Sequence, residues 1–298
     1  MRRLALSTLI LLLAATAAPA QQATPYATPQ DALEAMTTAL AAPDPMPALL
    51  EVFGSDAEDV LFTGNPERDG ENIAEIRAML AEGYRFQNSE NGVALLLGAE
   101  GWPFPIPLAR GDAGWAFDIE AGRDEIHFRR IGENELHVID IMTIYPDIQL
   151  EYRMQDHDGD GILEFAGSIL SAEGASDGLF WQAEDGPLGE RIARASLDGY
   201  AIGDQVMEAE PYGGYYYRIL TGQGDAAPGG AMSYMVNGHM LAGHALLAVP
   251  SDYGVSGIHS FLVAENGVIL QADLGDDSLE AGFAMELYDP GEGWTPAD

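Results

Sequence analysis

Two Asn-Gly pairs, Asn237-Gly238 and Asn266-Gly267, each stand between apolar runs. Both residues of such a pair tolerate the positive φ that a two-residue hairpin turn requires, so each pair predicts an antiparallel hairpin. Between them, Ala245-Leu246-Leu247-Ala248-Val249 is apolar without a break and predicts a central strand buried on both faces. Residues 258–263 and 268–272 flank the second turn. Upstream, Tyr215, Tyr217 and Ile219 fall on one face of a strand, with Tyr216, Arg218 and Leu220 on the other. Leu279, Phe283 and Leu287 then form one stripe of a closing helix over 276–288.

The first half starts with helical spacing. Thr28 reads as an N-cap, Pro29 as the first helical position and Asp31 as a first-turn acid. Leu33, Met36 and Leu40 continue the period until Pro43. A short helix carries Leu49, Leu50 and Phe53, and a third covers 71–83 with Ile73, Ile76, Met79 and Leu80 on one face. The pattern then changes to alternation at Val93, Leu95 and Leu97. Pro103, Pro105 and Pro107 alternate with apolar residues, which suits an edge strand. After a turn at 111–114, Trp115, Phe117 and Ile119 alternate again. Helices followed by a curved antiparallel sheet give an α+β domain over 27–130, after a flexible lead at 21–26. That order is similar to the nuclear-transport-factor-2-like fold, whose members often enclose an apolar pocket. A second domain, 131–298, opens with a helix over 135–155, using Leu136, Ile139, Ile148 and Tyr152. Pro146 should kink or split that helix near Tyr145. Short helices are expected at 163–170 and 187–198.

Between helix and sheet lies Asp156-His157-Asp158-Gly159-Asp160-Gly161-Ile162-Leu163-Glu164. Acids at alternate positions closed by glycine match most of a calcium-binding loop, because calcium takes six to eight oxygens. The ligands would be Asp156, Asp158 and Asp160, the Ile162 carbonyl and Glu164. The twelfth position, where a bidentate Glu usually closes the shell, is Gly167. Water, Glu173 or Asp177 must fill the gap, so affinity should be low, on the order of 10⁻⁴–10⁻³ M. The expected role is structural.

Met1-Arg2-Arg3, the apolar run from Leu4 to Ala15 and Ala18-Pro19-Ala20 read as a secretory signal peptide, 1–20, cut near Ala20. The expected address is the periplasm or the exterior. No later run reaches membrane-spanning length. The chain has no cysteine, so disulfides are excluded. It carries 48 acidic and 13 basic residues, a net charge of −35, which disfavours nucleic acid and anionic lipid as partners.

Several segments resemble a bacterial exported family known as domain of unknown function 2950. They are W-P-F-P-I-P-L at 102–108, N-E-L at 134–136, D-H-D-G-D-G-I-L-E-F at 156–165 and D-G-L-F-W at 177–181. G-Y-Y-Y-R-I-L-T at 214–221, A-P-G-G at 227–230, Y-G-V-S-G at 253–257 and D-P-G-E-G-W-T-P at 289–296 complete the set. The resemblance implies no catalytic residues. The strand-rich end is also similar, at fold level, to the globular part of type II secretion pseudopilins, on Gly214 to Tyr217, Ala248 to Pro250 and Ser256 to Ile269.

No H-E-x-x-H motif exists, and Gly254-Val255-Ser256-Gly257 falls short of a nucleophile elbow. The reading is therefore an exported binding or envelope-associated structural protein that is not an enzyme, with an unidentified protein or small-molecule partner. The alternatives are a hydrolase using Asp, Glu and His, with His239, His244 and His259 as candidates, or small-ligand capture in the first domain.

Overall fold

The computed structural model describes residues 22–89, 92–172, 175–180, 190–198, 200–202, 205–207 and 209–297. The expected signal peptide at 1–20, Gln21, Glu173, Trp181 and the start of the expected 187–198 helix lie outside them. The fold is mixed α+β, in two units that divide between Ile126 and His127.

In the first unit, α1 (Pro29–Leu40) starts as the sequence predicts. Thr28 accepts the Asp31 N–H and Asp31 accepts the Thr28 N–H, a reciprocal cap. Ahead of it, the Thr24 N–H donates to the Val52 carbonyl, and Tyr26 bridges to Trp115. Then come α2 (Pro45–Phe53), α3 (Glu58–Leu61) and α4 (Pro66–Glu82). α4 begins five residues earlier than the apolar spacing implies, because the Asn65 side chain caps the Glu67 and Arg68 N–H groups and Pro66 sets the first φ. The sheet runs β1 (Tyr84–Ser89), β2 (Gly92–Leu97), β4 (Leu108–Gly111) and β5 (Gly114–Phe117), with β3 (Trp102–Pro103) also on β2. The proline run is an edge strand only at Trp102–Pro103. The Phe104 N–H still reaches the Leu95 carbonyl, but the chain then leaves the sheet. Phe104, Ile106 and Leu108 nevertheless stay buried on alternate positions.

Ile119 opens a helix rather than extending β5. α5 (Ile119–Tyr152) starts where Asp118 accepts the Ala121 N–H, well before the expected residue 135. Pro146 lies inside it and does not split it. Met142, one turn before it, and Tyr145, next to it, are buried, and the Tyr145 hydroxyl donates to the Ala245 carbonyl. Packing on both sides outweighs the one backbone bond that proline forfeits.

The second unit continues with α6 (Glu190–Arg194), β6 (Tyr200–Ile202) and β7 (Gln205–Met207). Next are β8 (Tyr215–Leu220), β9 (Gly222–Gln223), β10 (Met232–Ser233), β11 (Met235–Val236) and β12 (His239–Met240). Last are β13 (Ala245–Pro250), β14 (His259–Ala264), β15 (Ile269–Asp273), α7 (Ser278–Ala284) and β16 (Thr295–Pro296). The main sheet is antiparallel, ordered β16-β15-β14-β13-β8. Every residue of β13 is buried, as its unbroken apolar run predicts. Asn237 and Gly238 both have positive φ and join β11 to β12 in two residues. The second Asn-Gly pair makes a longer loop: Val263 pairs Ile269, and only Gly267 has positive φ.

Two expected helices are corrected. Residues 163–170 form no helix, because the Phe165 N–H donates to the Met240 carbonyl and the Ala166 N–H to Gln149. The closing helix ends at Ala284 and turns Ser278 and Gly282 inward, leaving Phe283 and Leu287 exposed. A Cβ at Gly282 would sit 2.8 Å from the Val249 methyls, so glycine sets the approach of α7 to β13.

Candidate metal centre

The acidic loop follows α5 directly. Each of its aspartates folds the chain onto itself through a short-range hydrogen bond, as Asp does in turns. Asp156 accepts the Gly159 N–H through one oxygen (2.7 Å) and the Gly161 N–H through the other (2.9 Å). Asp158 accepts the Asp160 N–H, and Asp160 accepts the Ile162 N–H. Gly159 and Gly161 take φ of +79° and +87°, which glycine adopts without strain. The backbone N–H of Gly161, followed by that of Gly159, holds the Asp156 carboxyl below the usual carboxylate range.

The result is a cluster of three exposed carboxylates. Asp156, Asp158 and Asp160 each bring an oxygen within 4.8 Å of the others, an arrangement that could hold a metal ion. Glu164 lies beside that group and not in it: its Oε2 accepts the Met240 N–H at 2.9 Å and lies 3.4 Å from His239 Nδ1. The same His239 nitrogen lies 3.4 Å from Asp160 Oδ2. Ile162 uses its N–H on Asp160. Asp177 accepts the Ala172 N–H.

The loop is tied down on both flanks. Before it, the His157 ring stacks on Tyr152 at 4.0 Å between centroids. After it, fully buried Gln149 donates to the Ala166 carbonyl and accepts the Ala166 N–H. The β11–β12 hairpin meets it through His239 and Met240. Neither Gln149 nor His239 carries a spacing signal that ties it to the loop.

The three candidate histidines go to three different sets of partners. His239 meets Asp160 and Glu164. His244 is buried against the Tyr145 and Phe165 rings, and among the described residues neither ring nitrogen has a hydrogen-bond partner. His259 faces Glu135, whose carboxylate also accepts the Ile258 and His259 N–H groups at 2.9 Å. Asn134 beside it donates to the Ser256 carbonyl. The N-E-L segment thus secures the Y-G-V-S-G loop, a role that nothing distinguishes in advance in a chain with 48 acids.

Among the described residues, no helix is long and apolar enough to cross a membrane. The profile of a family described as protein of unknown function (DUF2950) matches residues 22–297. No curated protein and no solved structure matches the chain.

Proposed function

The chain belongs to the DUF2950 family, and on that footing we propose that it is an exported, non-enzymatic binding or envelope-associated structural protein steadied by calcium. The ion's place is the loop at 156–164, with Asp156, Asp158 and Asp160 as side-chain ligands, the Ile162 carbonyl beside them and Glu164 at the margin. One observation carries the reading: three carboxylates converge on a loop already folded by its own hydrogen bonds. Packing anions together is unfavourable without a counter-charge, and a hard divalent cation supplies one. Crosslinking a segment that touches α5 and the β11–β12 hairpin is a stabilising task, and it asks for no substrate. The first unit is read as nuclear-transport-factor-2-like on its order of elements.

Thermal melting in calcium, magnesium or chelator, at fixed high ionic strength, tests this. For a Kd near 10⁻⁴ M, millimolar calcium should add roughly 1.4 kcal/mol, or about 3–6 °C for a unit of this size. The shift should be selective for calcium and vanish in Asp158→Ala. Equal shifts from magnesium, or a shift that survives the substitution, would reduce the loop to an ordinary acidic turn.

A further inference from the structure

The first unit holds a cavity of about 390 Å³ between its helices and the proline segment. α4 forms one wall in an unusual way. An amphipathic helix ordinarily buries its apolar stripe, yet the only fully buried residue of α4 is Asp69. Ile73, Ile76 and Met79 touch the core on one side, line the cavity on the other and stay half-buried.

Both ends of the helix are fastened. At the start, Asp69 accepts the Thr63 N–H and hydroxyl at 2.7 Å, and the Asn65 side chain caps the first turn. At the end, Glu82 accepts the Ala99 N–H. α4 is therefore fastened at both termini, and its middle covers the core only in part. Protein interiors pack densely, and unfilled apolar space is destabilising in proportion to its volume. The space opens to solvent past Trp102, so an apolar occupant gains by taking the half-buried stripe out of water.

The lining selects the occupant's chemistry. Phe53, Phe104, Trp102 and Ile106 line the cavity with the stripe of α4. Its polar side chains are Asn72 and Glu75, both exposed on α4, and no basic residue contributes. An acidic rim on a chain of net charge −35 disfavours an anionic head group. The volume exceeds twice the roughly 150 Å³ that takes one benzene ring.

We propose that this cavity binds an uncharged, apolar small molecule of two- to three-ring size, whose polar end is a hydrogen-bond donor directed at Asn72 and Glu75. The site stands apart from the acidic loop and does not depend on the calcium reading.

Two dyes with one ring skeleton test it on the purified protein: neutral N-phenyl-1-naphthylamine and anionic 1-anilinonaphthalene-8-sulfonate. The neutral dye should saturate at one per chain, with the anionic dye at least about tenfold weaker. Ile76→Trp, which puts an indole into the space, should weaken the neutral dye about tenfold or more while the melting temperature is kept. Glu75→Lys lies on the exposed rim and leaves packing intact, so it decides the matter if the tryptophan variant misfolds. It should bring the anionic dye to within about threefold of the neutral one. Non-saturable binding, equal affinity for both dyes in the parent, or binding untouched by both substitutions would overturn the proposal.

Discussion

His244 is an imidazole in a place built for a hydrocarbon. It is buried to 1% exposure and set edge-on to Tyr145 and Phe165, and neither ring nitrogen has a hydrogen-bond partner among the described residues. Burial, and then the Arg153 guanidinium, push its pKa from 6.5 down to about 4. The folded protein thus refuses a proton that the unfolded chain accepts. The associated stability is complete above pH 6.5 and drains away as pH falls toward 4. At about 1.4 kcal/mol per pH unit, the window from 6.5 to about 4 sets a ceiling near 3 kcal/mol. His244→Leu offers nothing to protonate and should lose this part of the acid sensitivity. Urea unfolding of both proteins at pH 7.5 and pH 4.5 checks it, because the carboxylates contribute alike to each and cancel in the comparison. A variant whose stability falls with acid as steeply as the parent's would show that the ring takes its proton while folded. Asp156 titrates in the other sense, since the N–H groups of Gly161 and Gly159 favour its charged form. Its turn should persist into mildly acidic conditions.

At the scale of elements, α5 shows where local reasoning succeeds and where it stops. Its second half is legible from Ile139, Ile148 and Tyr152, whereas the first half runs upstream to Ile119 through Gly122 and Gly132. Gly122 has a reason in the tertiary structure: a Cβ there would lie 2.6 Å from Ile106 Cγ1. The same division recurs elsewhere. α1 and the Asn237-Gly238 hairpin are written in adjacent residues, through a cap and a turn. Residues 163–170 are extended because they bond to Gln149 and Met240, up to 76 positions away, and no local pattern encodes that. The acidic triad was readable for the same reason as the hairpin, since its bonds span two to five residues. Its neighbours His239 and Gln149 were not. Pro146 yields the test at this scale. The backbone there is already helical, so Pro146→Ala restores a donor to the Met142 carbonyl without demanding a new conformation. It should stabilise the second unit by about 1–3 kcal/mol, read from denaturant midpoints. Destabilisation would mean that the ring's own packing outweighs the recovered bond.

The whole molecule is governed by charge and by its division into two units. With a net charge of −35, carboxylate repulsion opposes every compact state, and any added cation relieves it to some degree by screening. A rise in stability with calcium is therefore ambiguous unless its location is known. A bound ion and a screening atmosphere differ in where they act. Screening covers the acids of both units, whereas an ion in the loop acts on backbone already linked to Asp156, Asp158 and Asp160. Amide hydrogen exchange at constant ionic strength separates them. Calcium should slow exchange at Gly159, Gly161 and Ile162, whose N–H groups those carboxylates accept. The slowing should extend to Phe165, Ala166 and Met240, which join the loop to Gln149 and the hairpin. Exchange in the first unit, from Pro29 to Phe117, should stay as it was, and Asp158→Ala should erase the effect. Slowing spread evenly over both units would instead assign calcium's influence to the acid surface at large. The loop would then be a self-sufficient turn, held by its own Asp-to-backbone bonds.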